Sequence, residues 1–268
     1  FVYNNMNDEH KRFLYGGIAG ITEVTFTHPI DLLKTRMQNA RLQNNPIKHP
    51  SQYLKLLYKS NGIRGIYSGY LPRFIGIVPM RFVYWGTQNN CNYYFSTNTS
   101  LSHSNVLILS GIIGGAAQTL VDNPIEAIKT RMMTDNTRKL TFGQTINNIQ
   151  CKKLSFPGFY PTLFRNIGFA TVLNYGLNKN LSDNILVNGL TAGVFGFVAS
   201  MITQPFDYAK TECQRYGGKK DNTFNILKNA VKNDFRGIFV GTIPRALLGF
   251  STMSIGGMTV FALQKYMF

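Results

Sequence analysis

The sequence predicts an all-α membrane protein with six transmembrane helices, and an internal repeat is the main reason. The segment HPIDLLKTRMQ at residues 28–38 returns as NPIEAIKTRMM at 123–133 and as QPFDYAKTECQ at 204–214. Each copy ends a glycine-rich apolar run, and a second apolar run follows in each third of the chain. About 20 apolar residues can cross a bilayer as a helix. We therefore expect a single transmembrane domain made of three tandem repeats, at about 8–96, 103–183 and 185–268.

Each repeat is expected to contain a kinked helix, a short surface helix and a second transmembrane helix. In the first repeat, a helix over Lys11–Gln38 is followed by the amphipathic segment YLKLLYKS and by a span that begins at Tyr70. A proline inside a helix removes one backbone hydrogen bond and bends the helix at that point. The prolines expected to do so are Pro29, Pro124 and Pro205. Three equivalent units predict a bundle with pseudo-threefold symmetry about the membrane normal.

The second and third repeats follow the same order. Their surface segments are FGQTINNIQCKKL and NTFNILKNAVKNDF, and their second helices contain FYPTLFRNIGF and TIPRALLGF. In the first span, Glu23 is the only acid before the proline. A charge at that depth is costly and generally faces a water-filled cavity, so Glu23 is a candidate site residue.

Composition alone gives a less clear picture than the repeat does. The chain has 28 Lys and Arg against 12 Asp and Glu, a net charge of +16, and a mean hydropathy of −0.08. The average hydropathy resembles that of a soluble protein because very polar loops dilute the apolar spans. A basic excess suits nucleic acid, anionic lipid or an anionic solute.

Two other function classes explain the sequence less well. A basic nucleic-acid-binding protein would account for the charge but not for glycine-rich spans that end in Pro-x-acid, so we expect no nucleic-acid partner. Salt should release such a protein, whereas a transporter should need detergent. An enzyme is not expected, nor a cofactor or metal, because the histidines and cysteines show no catalytic or metal-binding spacing. These residues are His10, His28, His49, His103, Cys91, Cys151 and Cys213.

The repeated segment is similar to the signature of the mitochondrial carrier family. That signature, Pro-x-[Asp/Glu]-x-x-[Lys/Arg]-x-[Lys/Arg], is matched in full by the first two copies through Arg36 and Arg131, whereas the third has Glu212 at the last position. The resemblance implies a multi-pass protein of the mitochondrial inner membrane. It further implies a monomer that moves a small solute by alternating access, in exchange for another solute.

The repeated charges are expected to form a gate on the matrix side. Acid and lysine are three residues apart and so share one helix face. If each acid pairs with a lysine of a neighbouring unit, the pairs would close the matrix side. The six residues are Asp31, Lys34, Glu126, Lys129, Asp207 and Lys210. Gln38 and Gln214 match the family's brace position beside these pairs, and Met133 does not. The family's opposite gate is poorly kept, with Asn89 and Asn92 where charges would stand.

The resemblance places the solute contacts on the second helix of each unit. The prolines Pro72, Pro161 and Pro244 align, and the residues four positions further on are Gly76, Arg165 and Leu248. Asn166 and Arg81 are further candidates, although Arg81 could instead extend to the interface.

Arg165 is the strongest candidate for a solute contact. Its planar guanidinium matches a carboxylate bidentately, so we expect it to bind an anionic solute. The alternative is that Arg165 pairs with Glu23 for structural reasons.

The first helix and PMRFVYW resemble the corresponding segments of 2-oxodicarboxylate carriers. A 2-oxodicarboxylate or a tricarboxylate-like solute is therefore expected. Leu248 and Gln118 depart from those carriers, which leaves S-adenosylmethionine or a nucleotide as the alternative. The family also implies cardiolipin at the start of second helices, here at Gly69 and Gly241, where helix-end amides can bind phosphate.

Overall fold

The computed structural model describes residues 6–42, 50–134, 143, 158–177, 184–215, 222–233, 235–239 and 241–266, and these residues include helices but no strand. The helices are α1 (Met6–Leu42), α2 (Pro50–Ile66), α3 (Tyr70–Asn98), α4 (His103–Thr134), α5 (Phe159–Leu177), α6 (Ile185–Ile202), α7 (Gln204–Gln214), α8 (Thr223–Asn233), α9 (Phe235–Ile238) and α10 (Thr242–Tyr266).

The long helices form a closed ring in chain order. Helix α1 packs on α3, α3 on α4, α4 on α5, α5 on α6 and α6 on α10, and α10 returns to pack on α1. The ends of the repeated segments meet inside this ring, because α1 and α4 also contact each other and both contact α7.

Three stretches of the described chain are long and apolar enough to cross a membrane. They are His103–Thr134 in α4, Ile185–Ile202 in α6, and Phe235–Thr259 over α9 and α10. Large apolar side chains also point outward, as in Phe26 of α1, which is 70% exposed, and Ile243 of α10, which is 73% exposed. An outward apolar surface on a helical ring is typical of a protein that contacts lipid.

The third predicted kink differs from the first two. Pro29 lies inside the continuous helix α1 and Pro124 inside α4. The third unit instead breaks: α6 ends at Ile202, and α7 begins at Gln204 with Pro205 in its first turn. The expectation of one kinked helix in the third unit is therefore wrong, and two helices meet there at Thr203.

Side chains satisfy the carbonyl groups that these interruptions leave free. Proline has no N–H, so Pro29 cannot bond to the carbonyl of Thr25. The Tyr67 hydroxyl donates to that carbonyl instead, at 3.2 Å. At the break in the third unit, Arg245 Nη1 donates to the carbonyl of Ser200 at 2.6 Å.

Surface helices lie between the two long helices of the first and third units. Helix α2 changes direction at Gly62, whose φ is 61°. Helix α8 buries Ile226 and Ala230 against Tyr208 and Ala209 of α7. The surface segment predicted in the second unit, at 142–154, lies outside the described residues apart from Gly143.

Candidate functional site

Six charged residues of the repeated segments form three ion pairs where α1, α4 and α7 converge. Each lysine pairs with an acid from another repeat: Lys34 Nζ with Asp207 Oδ2 at 2.5 Å, Lys129 Nζ with Asp31 Oδ2 at 2.8 Å, and Lys210 with Glu126. The partners follow one another cyclically around the ring. The side chains are at most 13% exposed, so each charged group is largely shielded from water and interacts with its partner instead. The pairing predicted from the sequence is present.

The two glutamines expected beside these pairs have different contacts. Gln38 Nε2 donates to Asp207 at 3.1 Å, and its Oε1 accepts a bond from Thr211 at 2.8 Å. Gln38 therefore lies beside the Lys34–Asp207 pair. The hydrogen bonds described for Gln214 instead join it to Asn123, Thr162 and Thr130. These bonds tie α7 to α4 and α5 without reaching an ion pair.

Arg165 of α5 is held by residues of its own repeat. Its Nη2 donates to Asp122 Oδ2 at 2.6 Å, and its Nε and Nη2 donate to Asn166 Oδ1 at 3.1 and 2.7 Å. Its Nη1 lies 3.8 Å from carboxylate oxygens of both Glu126 and Asp207. Arg165, expected as a solute contact, lies directly beside the ion pairs. Asn166, which also donates to Asp122 at 3.0 Å, helps to fix its position.

Glu23 of α1 pairs with Arg81 of α3. The alternative in which Glu23 neutralises Arg165 is therefore wrong. The alternative in which Arg81 extends to the interface is wrong as well, and its role as a solute contact stays a prediction. Glu23 is the only acid of the first span before the proline, and the nearest guanidinium comes from the second helix of the same repeat rather than from the second repeat.

Three residues of this charge network were missed by sequence reasoning, namely Arg73, Asp122 and Arg245, whose Nε lies 3.6 Å from Asp207 Oδ1. Arg73 Nη1 lies 3.1 Å from Asp122 Oδ1 and 3.0 Å from Glu126 Oε1. It therefore connects Asp122, which binds Arg165, with Glu126 of the ion-pair ring. The repeats contained a signal for all three. Arg73 and Arg245 each follow an aligned proline, and Asp122 is an acid two positions before Pro124.

The other two aligned contact positions differ in their surroundings. Gly76 is buried where α3 meets α4, and a Cβ at this position would lie 2.3 Å from Ile125 Cδ1. The glycine permits close packing of α3 on α4, and a solute contact at Gly76 stays a prediction. Leu248 borders a cavity of about 40 Å³. The cavity is also lined by Glu23, Val24, Thr27, His28, Asp31, Arg73 and Thr252.

A family model described as mitochondrial carrier protein matches residues 8–99, 102–176 and 181–268. The chain belongs to the mitochondrial carrier family. This carrier is therefore a multi-pass protein of the mitochondrial inner membrane, as members of the family are. It belongs to a family of transporters of small solutes rather than of enzymes.

The names of curated relatives of this carrier specify different solutes or none. Mitochondrial substrate carrier family protein X of Dictyostelium discoideum is 26% identical over 96% of this chain and 91% of its own. The mitochondrial 2-oxodicarboxylate carrier of Bos taurus is 28% identical over 78% of this chain and 76% of its own. The mitochondrial glycine transporter of Homo sapiens is 28% identical over 88% of this chain and 83% of its own.

Glycines with positive φ precede the second long helix in all three units of the carrier. Gly69, Gly158 and Gly241 have φ of 77°, 73° and 82°. A Cβ on them would lie 3.0 Å from Met133 Cγ, 3.1 Å from Gln214 Cγ and 3.3 Å from Gln38 Cγ, respectively. Each glycine thus packs against the brace position of a neighbouring repeat. Gly158 was missed, although Phe156-Pro157-Gly158 has the order aromatic, any residue, glycine that is also found in Tyr67-Ser68-Gly69.

At the opposite end of the ring the carrier has amide hydrogen bonds. Gln88 of α3 donates to Asn174 of α5, and Asn174 Nδ2 donates to the carbonyl of Leu107 at 2.6 Å. Asn92 accepts a bond from Ser110 of α4. These bonds link the first and second repeats through uncharged groups. The corresponding segment of the second unit, NKNLS at 178–182, lies outside the described residues.

Proposed function

We propose that this carrier moves an anionic metabolite, a 2-oxodicarboxylate or a tricarboxylate-like solute, by alternating access with exchange. The charge balance of the interior ion pairs is the observation that supports this most. Among the residues that the structure describes, seven cationic side chains in these pairs face five carboxylates. The cations are Lys34, Arg73, Arg81, Lys129, Arg165, Lys210 and Arg245, and the acids are Glu23, Asp31, Asp122, Glu126 and Asp207. Uncompensated charge inside a membrane is costly, so an anionic solute would stabilise this interior.

We infer that all six long segments cross the membrane around a pseudo-threefold axis. Helices α1, α3 and α5 lie in the same closed ring as the three stretches that are apolar enough to span. The cyclic ion pairs and the three glycine contacts support equivalent placement of the three repeats. The ring closes within one chain, which supports a functional monomer.

We propose that the ion-pair ring is the matrix-side gate and that Arg165 couples it to the solute. Arg165 Nη1 lies 3.8 Å from acids of two different pairs, those of Glu126 and Asp207. A solute carboxylate at this guanidinium would compete with both acids for it. Solute binding would thereby weaken the closed gate, which is the differential interaction that a conformational change requires. The uncharged bonds of Gln88 and Asn174 are the proposed opposite gate.

S-Adenosylmethionine or a nucleotide is a second candidate solute. The observation in its favour is that the aliphatic side chain of Leu248 and the carboxylate of Glu23 border the same cavity. An apolar wall beside a carboxylate suits an organic cation with an apolar group, and an arginine fork also matches phosphate.

The test is uptake by purified protein in liposomes loaded with one solute and exposed to another. The panel consists of dicarboxylates, tricarboxylates, nucleotides and S-adenosylmethionine. We expect rapid uptake of a 2-oxodicarboxylate or a tricarboxylate, and only into vesicles that contain an exchangeable anion. Uptake of S-adenosylmethionine or a nucleotide alone would favour the second candidate. Equal uptake into empty vesicles would reject exchange.

We further propose that cardiolipin binds at the glycines that precede the second helices. Gly69 and Gly241 were expected from the sequence, and Gly158 joins them because its backbone has the same conformation. Each is followed by the N-terminus of a helix, where free amide groups and the helix dipole favour phosphate.

A further inference from the structure

Asp122 occupies the centre of the proposed solute site. Its Oδ1 accepts a bond from Arg73 Nη1 at 3.1 Å, and its Oδ2 accepts bonds from Arg165 Nη2 at 2.6 Å and Asn166 Nδ2 at 3.0 Å. Its side chain is 1% exposed, whereas those of Arg73 and Arg165 are 22% and 15% exposed. One internal carboxylate therefore binds both guanidinium groups, and the parts that remain exposed belong to the arginines.

The fold does not require an acid at this position. Asp122 stands two residues before the repeated proline, where the other two repeats have Thr27 and Thr203. The Thr27 hydroxyl donates to the carbonyl of Glu23 at 2.7 Å, and that of Thr203 to the carbonyl of Ala199 at 2.8 Å. The Thr203 hydroxyl also accepts a bond from Arg245 at 2.6 Å. A threonine at this point in the helix thus fits the ring and can hold an arginine.

The position of Asp122 conflicts with bidentate binding of a solute carboxylate. Such binding uses two adjacent N–H groups of one guanidinium. On Arg165, Nη2 is engaged by Asp122 and Asn166, and Nε is engaged by Asn166. A solute carboxylate cannot take the outer edge of this guanidinium, formed by Nη1 and Nη2, while Asp122 keeps its bond to Nη2.

We propose that Asp122 is a built-in competitor of the solute: in the unloaded carrier it occupies the place of a solute carboxylate, and the solute displaces it from Arg165. This inference rests on the proposed function, because it requires an anionic solute. Displacement is feasible because Asp122 remains paired with Arg73 through its other oxygen. A buried carboxylate that keeps one partner avoids the large cost of a buried charge with none. Competition weakens solute binding and, for the same reason, speeds solute release.

The first test is the kinetics of 2-oxoglutarate exchange in liposomes by the variants Asp122→Asn and Asp122→Thr. Both remove the competing charge, and the second places the residue of the other repeats there. Because a hydrogen bond to a charged group contributes about 1.5–3 kcal/mol, we expect the apparent KM to fall about tenfold or more. The maximum rate should fall as well, because the solute leaves more slowly. An unchanged or higher KM in both variants would overturn the proposal.

A matched control separates competition from a general change in the electric field. Glu212→Gln also removes one buried negative charge, but its partner is Arg215 rather than Arg165. We expect Glu212→Gln not to reproduce the fall in KM. If the KM falls equally in the Glu212 and Asp122 variants, added positive charge explains the effect and Asp122 is not a competitor.

A second readout does not depend on transport. Phenylglyoxal modifies accessible guanidinium groups, and the modified peptides can be measured by mass spectrometry. In the unloaded carrier we expect Asp122→Asn to speed modification of Arg165 relative to Arg215, which pairs with Glu212 at 3.0 Å. An unchanged ratio would overturn the proposal even if an Asp122 variant transported poorly. If the wild-type protein moves no dicarboxylate or tricarboxylate, the proposed function fails; if it does and the KM is unaffected, only the role of Asp122 fails.

Discussion

Lys129→Ala should abolish solute uptake because it removes a cation held between two carboxylates of the proposed gate. Lys129 Nζ lies 2.8 Å from Asp31 and 2.9 Å from Glu126, and its side chain is 5% exposed. Removal of one partner from a buried pair costs about 3–5 kcal/mol. Glu126 keeps its contacts with Lys210 and Arg73, so the lower value applies. A loss of about 3 kcal/mol lowers the population of the closed gate roughly a hundredfold.

The assay is solute uptake by equal amounts of reconstituted protein, with a thermal unfolding curve for each variant. Lys228→Ala is the matched control, because Lys228 is an exposed lysine of the surface helix α8. We expect Lys228→Ala to behave as wild type and Lys129→Ala to lose uptake. Wild-type uptake by Lys129→Ala would refute the role of this lysine in the gate.

An exchanged pair tests whether Lys129 and Asp31 act through direct contact. Asp31→Lys combined with Lys129→Asp should recover part of the uptake lost in each single variant. Recovery should be incomplete, because the new carboxylate at position 129 would lie close to Glu126, which now contacts Lys129 at 2.9 Å. A double variant no better than either single one would show that direct pairing is the wrong explanation.

Three further predictions concern lipid, backbone and bracing. Delipidated protein should recover its thermal stability with cardiolipin more than with neutral lipid, and equal recovery would reject a specific lipid site. Gly158→Ala should lower the unfolding temperature, because a φ of 73° costs about 1–2 kcal/mol for alanine. Gly86→Ala is the control and should leave the unfolding temperature unchanged, because a Cβ at this position of α3 would meet no other atom within 4 Å. Gln38→Ala should destabilise the protein by about 1–3 kcal/mol, because a buried bond to Asp207 is lost, and an unchanged unfolding temperature would contradict a bracing role.

The ion-pair ring could be predicted because it depends only on the repeat. Acid and lysine recur at the same spacing in three segments, so any cyclic arrangement of the repeats brings them to one level. The pairs Lys34–Asp207 and Lys129–Asp31 follow from that regularity. The break in the third unit does not follow from the repeat, because whether a proline bends or breaks a helix depends on the packing and hydrogen bonds around it. At this break Arg245 donates a hydrogen bond to the carbonyl of Ser200.

The partners of Arg165 could not be predicted because they break the repeat. Only the second unit has both an arginine at the aligned contact position, Arg165, and an acid two residues before the repeated proline, Asp122. Which acid meets an arginine depends on the rotation of each helix about its axis, and spacing within one helix does not determine that. Glu23 and Arg81, 58 residues apart, meet for the same reason. The sequence thus predicts what the repeats share, and the structure is needed where they differ.

The most direct test of the account is uptake of a labelled 2-oxodicarboxylate by wild type, Arg165→Lys and Arg165→Ala. Lysine keeps the charge but lacks the two-pronged donor, so we expect Arg165→Lys to raise the apparent KM while the unfolding temperature stays close to wild type. Arg165→Ala should lose uptake almost completely, because the anion would be desolvated without a partner. Combining Arg165→Ala with Asp122→Asn should restore stability but not uptake. Uptake at the wild-type level by Arg165→Ala, or its return in that double variant, would contradict binding of the solute at Arg165.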